Sequence, residues 1–305
     1  MTSLGAITYD SVRWEPQGMR HASAGLPRYG TYHPAVPADI ADLVLDLSPS
    51  VIADAEHASN EIARFDAELG GEIAPFAAVL LRSESAASSQ IENLTASARA
   101  IAEAELPGGR GKRNAEMVVA NTAAMQAAVA LSDKVDANAI LAMHRALMVN
   151  EPRHTPGAFR AEPVWIGGGS TPVGATFVGP RHALIPGAID DLIAFAQRND
   201  VPTLPQIAVA HAQFETIHPF TDGNGRTGRA LVQAMLRNKG LTRKVTVPVS
   251  AGLLADTDAY FAALTSYRAG AAAPIVDRFS QATVLAIANG RQLVADIRDI
   301  RENWN

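Results

Sequence analysis

His218-Pro219-Phe220-Thr221-Asp222-Gly223-Asn224-Gly225-Arg226-Thr227-Gly228-Arg229 separates two helical runs and loads their junction with chemistry. The run before it, about 204–217, ends near Ile217, and the run after it, about 226–239, ends near Gly240. Glycines at 223, 225 and 228 let a backbone approach an anion closely, and a helix start offers unpaired N–H groups with a favourable dipole. Arg226 and Arg229, three apart, share one face of the new helix's first turn. A base (His218), a carboxylate (Asp222), an anion nest and two guanidiniums thus fall within one small volume. Phosphoryl or nucleotidyl transfer needs those parts: a proton acceptor, a metal-binding oxygen and positive charge around a polyphosphate.

Three blander accounts compete. The glycine spacing also fits the G-x-G-x-x-G dinucleotide fingerprint, but the residues before it are helical in pattern. No acid that could hold a ribose occurs between Gly223 and Ala255. A calcium loop starting at Asp222 fails because Arg226 stands where an oxygen ligand belongs. A Gly-rich turn with a satisfied histidine explains His218 alone. It does not explain His218 together with Asp222, Asn224 and two arginines at these spacings.

Outward from this junction the pattern is mostly helical. Ser48-Pro49 reads as an N-cap with proline at the first helical position, followed by Val51, Ala55, Ala58, Ile62, Phe65 and Leu69 at helical spacing and a stop at Gly70-Gly71. Further helices are expected at about 72–86, 89–105, 112–131, 137–149, 186–199, 256–268 and from 274 onward. A short extended piece is expected at Val245–Val249. Residues 162–182 break the texture: Val164-Trp165-Ile166 and Thr176-Phe177-Val178 flank a Gly/Pro-rich turn, a hairpin signal. The first 36 residues read as an extended surface arm with Trp14 and Tyr32 as anchors. His211 and Glu215, four apart before His218, share a helix face and read as packing residues or supports of the site. Arg237, Lys239, Arg243 and Lys244 read as a solvated face.

Composition narrows the classes. The 305 residues are 48% hydrophobic and 19% charged, enough for a substantial core and too apolar for disorder. A net charge of −5 argues against nucleic acid as the main partner. The absence of cysteine excludes disulfides and thiol nucleophiles, and fits a cytoplasmic setting. No signal peptide is visible in MTSLGAITYD, and the longest uncharged helical stretch, Met117–Ser132, is too short to span a bilayer, so no membrane association is expected.

The twelve residues from His218 to Arg229 resemble the signature of Fic-domain proteins, HPFx(D/E)GNGRxxR, at every defined position. The upstream AHAQFETI, the GAFR that opens the hairpin region at Gly157 and the N-terminal helices extend the likeness over roughly 35–270. The resemblance implies a mainly α fold: a Fic-type helical bundle with a β-hairpin flap and an N-terminal helical region. It divides the chain into an arm (1–36), an N-terminal helical region (37–135), a Fic core (136–270) and a C-terminal helical extension (271–305). It also implies a protein adenylyltransferase that moves AMP from ATP to a Ser, Thr or Tyr hydroxyl of a target protein, or of itself. His218 would be the general base and Asp222 the Mg²⁺ ligand. Gly223, Asn224, Gly225 and Gly228 would form the anion hole, and Arg226 and Arg229 would clamp the outer phosphates. The target would dock on the 162–182 flap by strand addition.

Ser88-Ser89-Gln90-Ile91-Glu92-Asn93 resembles the family's inhibitory pattern (S/T)xxxE(G/N) through Ser88, Glu92 and Asn93. The resemblance implies that the Glu92 carboxylate takes the place of a phosphate on Arg229. The residues alone leave open the reverse reaction, de-AMPylation, another donor such as UTP or CDP-choline, and a non-catalytic nucleotide-sensing module. Members of this subgroup often carry a winged-helix domain, of which no recognition-helix pattern is seen here. A homodimer through the N-terminal helices stays open.

Overall fold

Ser48 caps the first helix, α1 (Pro49–Glu68): its Oγ accepts from the Val51 N–H at 3.4 Å, and Pro49 occupies a position that needs no N–H. Val51, Ala55, Ala58, Ile62 and Phe65 form its buried stripe. The computed structural model describes residues 3–15, 29–69, 73–106 and 112–303. Gly70 and Gly71, the expected stop of α1, and residues 16–28 of the arm lie outside them.

One boundary differs from the expectation. Residues 72–86 and 89–105 do not form two helices broken near Ser88. A single helix, α2 (Ile73–Ile91), runs through, and α3 (Ala98–Glu105) starts after a loop with Ser97 as its cap. The Ser88 and Ser89 hydroxyls cap no helix start: Ser88 Oγ accepts from Arg229 Nε, and Ser89 Oγ donates back to the Ser85 carbonyl at 2.9 Å, a bond that helix interiors tolerate. α4 (Arg113–Ala130) and α5 (Ala137–Leu147) follow, the latter capped by Asp136.

The expected hairpin forms as β5 (Trp165–Ile166) paired antiparallel with β6 (Phe177–Val178), shorter than its apolar pattern suggests. The arm is more ordered than its composition implies. β1 (Thr8–Tyr9) pairs with β4 (Ala35–Val36), and β2 (Val12–Trp14) pairs with β3 (Gly30–Tyr32). Trp14 packs edge-on against both Tyr32 and Trp165, ring centroids 6.1 and 6.2 Å apart, so the arm is pinned to the flap.

The remaining helices are α6 (Ile185–Gln197), α7 (Thr203–Ile217), α8 (Asn224–Asn238), α9 (Val249–Leu254), α10 (Thr257–Arg268) and α11 (Ala273–Asn303). α7 is buried on every side from Leu204 to Ile217, with α1, α6, α8, α10 and α11 packed around it. A helix buried all round belongs at the centre of a bundle, and the polar side chains it carries there, Gln206, His211, Gln213, Glu215 and Thr216, are buried with it. Residues 245–248 form no strand, contrary to expectation. Val245 and Val247 are buried, but the N–H groups of Arg243, Lys244 and Val245 all donate to Asp66 Oδ1 on α1, at 3.1, 2.8 and 3.0 Å. A carboxylate supplies what a neighbouring strand would. Among the described residues no helix is long and apolar enough to cross a membrane.

Candidate active site

The chain leaves α7 through His218, which adopts φ +49°, a left-handed conformation that costs a non-glycine residue energy and persists where neighbours hold it. The hold is Arg160. Its Nε donates to the His218 carbonyl at 2.8 Å, Nη1 to Glu162 O at 2.9 Å and Nη2 to Pro180 O at 2.6 Å, while its own N–H donates to Pro219 O at 3.0 Å. One buried guanidinium thereby ties both feet of the flap to the histidine. The His218 Nδ1 lies 3.4 Å from the Glu215 carbonyl, which fixes the proton on Nδ1 and leaves the Nε2 lone pair free. Burial, reinforced by Arg268 and Arg160, pulls the His218 pKa down to about 4, against the Glu215 carbonyl and Asp222. The imidazole is neutral at pH 7, the form a base needs.

A second histidine shapes the loop. His144 on α5 stacks flat on Phe220, centroids 3.6 Å apart, accepts from the Gly157 N–H at Nδ1 and donates from Nε2 to the Asp222 carbonyl at 3.2 Å. Asn224 clamps the same loop: its Oδ1 accepts from the Phe220 N–H at 2.8 Å and its Nδ2 donates to the Phe220 carbonyl at 2.9 Å. The side-chain amide expected in the anion hole is therefore committed to the loop, and its backbone N–H is what remains for an anion. Gly223, φ +73°, begins α8 without a side-chain cap, so the first N–H groups of the helix have no partner of that kind. Asp222 is 40% exposed at its side chain and faces the cleft, with Oδ1 accepting from the Gly223 N–H.

Glu92 lies on this helix start. Its Oε2 accepts from Arg226 Nε at 2.7 Å and its Oε1 from Arg229 Nη2 at 2.9 Å, so one carboxylate bridges two arginines. Both guanidiniums are almost wholly buried. A Cβ on Gly225 would sit 2.5 Å from Glu92 Oε1, so only glycine lets the carboxylate press on the backbone there. Ser88 completes the set, its Oγ accepting from Arg229 Nε at 2.9 Å and its carbonyl from Nη2 at 2.7 Å. Burial opposes the charge of Arg229, but Glu92, Tyr260 and Glu215 favour it and prevail, holding its pKa above the ordinary value. Asn93 adopts φ +60° and closes α2 in a Schellman motif: Leu94 N–H donates to Ser89 O and Asn93 N–H to Gln90 O. This turn aims Glu92 back at α8, and the left-handed position accounts physically for the G or N of the inhibitory pattern.

The helix that presents Glu92 is fastened by polar contacts. Glu84 Oε1 and Oε2 accept from the hydroxyl and N–H of Ser250 at 2.6 and 2.8 Å. Burial pushes the Glu84 pKa up to about 7 against these bonds. Asn121 on α4 donates to Ser85 O and Ser89 Oγ. Such directional bonds fix helix register as well as position.

The cleft holds about 230 Å³ between Glu92, His218, Asp222, Gly225, Arg229 and Tyr260. That is below the ~300–1,000 Å³ usual for ligand pockets, and Glu92 is part of the lining. Ile166 of the flap lines its mouth. Of the sequence-derived site residues, Glu92, His218, Asp222 to Gly225 and Arg229 line this cleft, while Arg226 is bound to Glu92, Ser88 holds Arg229 and Asn93 closes α2 without lining it. Arg160 and His144 escaped the sequence reading, because their contacts are carbonyls and N–H groups tens of residues away.

The residues fit the groups the reaction would need. A carboxylate already bridges two arginines over a helix N-terminus, where phosphate oxygens would be held the same way. Among the described residues no group of three or more His, Asp or Glu could hold a metal by itself. A single exposed carboxylate plus phosphate oxygens is the habit of Mg²⁺, so Asp222 suits it.

Comparison with known proteins agrees with this geometry. Residues 134–236 match the Fic/DOC family. The chain is 31% identical over 120 residues to the protein adenylyltransferase fic-1 of Caenorhabditis elegans, an alignment covering 38% of this chain and 22% of that protein. It is 36% identical over 69 residues to a probable protein adenylyltransferase of Aquifex aeolicus, covering 22% of each. These alignments span about a fifth of the length of the curated relatives. The fold resembles that of a Fic family protein from Desulfovibrio desulfuricans, with a TM-score of 0.67 and 24% identity over 83% of this chain and 76% of that one.

Proposed function

This chain is a Fic-domain protein, and on that premise we propose that it is an autoinhibited protein adenylyltransferase. Glu92 seated on Arg226, Arg229 and the start of α8 is the observation that carries the reading. A site that binds a carboxylate with two buried guanidiniums and a helix N-terminus is built for an anion, and a polyphosphate is the larger anion.

With Glu92 displaced, Arg229 and Arg226 bind the outer phosphates of ATP, and the backbone at Gly223–Gly228 receives the inner ones. His218 Nε2 takes the proton from the target's Ser, Thr or Tyr hydroxyl. The hydroxyl oxygen then bonds the α-phosphorus as its bond to the β-phosphate oxygen breaks, and pyrophosphate leaves. Asp222 would hold Mg²⁺, which supplies charge neutralisation between the α- and β-phosphates when bound. The target segment lies along the β5–β6 flap, whose feet Arg160 fixes relative to His218. The inhibited state leaves ATP without its arginines, so its α-phosphorus is not aligned for in-line attack.

Mass spectrometry of the Glu92→Gly protein incubated with ATP, UTP and Mg²⁺ tests the reading. An AMP adduct on the protein or an added target supports it. A UMP adduct replaces the donor, and tight ATP binding with no adduct replaces the enzyme with a nucleotide sensor. Arg160→Lys in the Glu92→Gly background keeps the charge but loses the fork that reaches three carbonyls. Transfer is expected to fall about tenfold, with Kd for ATP unchanged, because misplacing a reacting group costs rate before affinity. Filter binding beside initial rates separates the two.

A further inference from the structure

Glu215 stands one turn before His218 on α7, is 7% exposed and lines the cleft. Its Oε1 is buried without a hydrogen-bond partner and lies against the first turns of α8, where a Cβ on Gly228 would approach it to 2.6 Å. The titratable and charged groups around it are His211 and His218 on its own helix, Arg229 on α8, Glu92 after α2, and Tyr260 and Arg268 on α10. His211 donates to or accepts from Tyr260 OH at 2.7 Å and is held neutral by burial, which lowers its pKa to about 3. Neither partner of that pair turns to Glu215.

A buried carboxyl oxygen without a partner is costly in either protonation state. Ionised, it faces Glu92, a like charge, across Arg229. Protonated, it is a donor on a residue that lines the cleft. Burial, and after it the negative charge of Glu92, push its pKa up to about 7 against Arg229 and Arg268. Exchanging the single charge of Glu92 for a polyphosphate adds negative charge at the same arginine and provides acceptor oxygens. Both changes favour the acid form.

We propose that Glu215 is a nucleotide-binding residue that engages the polyphosphate as a neutral acid, donating its carboxyl O–H to a phosphate oxygen beside Arg229, so that ATP binding takes up a proton. The proposal rests on the nucleotide-site reading above and assigns to that site a ligand group and a proton linkage. The sign follows directly: the complex holds a proton that the free site releases above neutrality, so affinity falls as pH rises.

The test is calorimetric titration of ATP and Mg²⁺ into Glu92→Gly/His218→Ala, which can neither turn over nor take a proton at residue 218. Measurements at pH 8 in two buffers of different ionisation enthalpy count the protons. The expected result is uptake of more than half a proton per ATP, and affinity weakening roughly three- to tenfold from pH 7 to 8. Adding Glu215→Gln should abolish that component and flatten the pH profile while ATP still binds. Binding without proton uptake, or uptake unchanged by Glu215→Gln, overturns the proposal while leaving the nucleotide site standing. Absence of ATP binding to the parent variant overturns both. Should the glutamine variant fail to fold, the Glu215 side-chain carboxyl carbon is followed by NMR in the parent. It must move to its protonated position on ATP addition, and a resonance that stays ionised overturns the proposal.

Discussion

Glu92→Gly is expected to raise AMP incorporation about a hundredfold over the wild-type chain, the ratio that a bias of about 2.8 kcal/mol toward the blocked state produces. The substitution removes the one carboxylate that joins Arg226 and Arg229, whose side chains are 2% and 3% exposed. Breaking a buried ion pair from one side costs roughly 3–5 kcal/mol, since the remaining charge is left without water or partner. Here the cost is partly offset, since Arg226 keeps Asp222 Oδ1 at 3.6 Å and Arg229 keeps the Ser88 hydroxyl and carbonyl, but both lose their closest carboxylate. The variant should therefore melt several degrees below the wild type without nucleotide and recover on adding ATP, by the mass action of a ligand that binds only the folded site. Wild type should gain far less, because ATP must first displace Glu92. Incorporation of labelled ATP beside thermal melts measures both effects. An unchanged rate together with unchanged ATP affinity would remove the inhibitory role of Glu92.

The same contacts show what the sequence could and could not reveal. His218 to Arg229 was legible because the whole motif lies within twelve positions, at spacings that a loop and one helical turn bring together. Ser88, Glu92 and Asn93 were legible as a pattern only. What aims them, a left-handed Asn93 closing α2, was hidden because the helix was expected to break three residues earlier. The serines at 88 and 89 sit inside the helix because their hydroxyls go to Arg229 and to the Ser85 carbonyl, contacts that local pattern does not reveal. Val245–Val249 misled for a related reason. Alternating valines are buried as in a strand, but their neighbours' N–H groups go to Asp66 on α1, a carboxylate that no local pattern connects to them.

Arg160 and His144 were silent for a deeper cause. Each acts on backbone carbonyls and N–H groups brought close by topology, and a carbonyl has no sequence identity to correlate with. His211 and Glu215 were recognised as sharing a helix face, and helical spacing stated no more than that. That the face meets Gly228 of α8, with one carboxylate oxygen left unpartnered, needed coordinates.

His218→Ala in the Glu92→Gly background should lower transfer about a thousandfold, within the ~10²–10⁴ that a positioned base contributes, with Kd for ATP little changed. If His218 acts as the proposed base, it serves the attacking hydroxyl, and no hydrogen bond joins its ring to Arg226 or Arg229, so the loss should fall on kcat. The pH profile distinguishes a base from a packing residue. An exposed histidine would lose activity as pH falls through about 6.5. His218 is held down to about 4 by burial and by Arg268 and Arg160, so its neutral form persists well below that, and protonation, which removes the accepting lone pair, comes later. The acid limb of kcat/KM for Glu92→Gly should accordingly lie nearer pH 4 than pH 6.5, and His218→Ala should erase it from the residual rate. Arg160→Lys, which relaxes the hold on the His218 carbonyl, should shift that limb upward as water reaches the ring. A limb at 6.5 that survives His218→Ala would belong to another group, and His218 would then be a cap for α7 and no base.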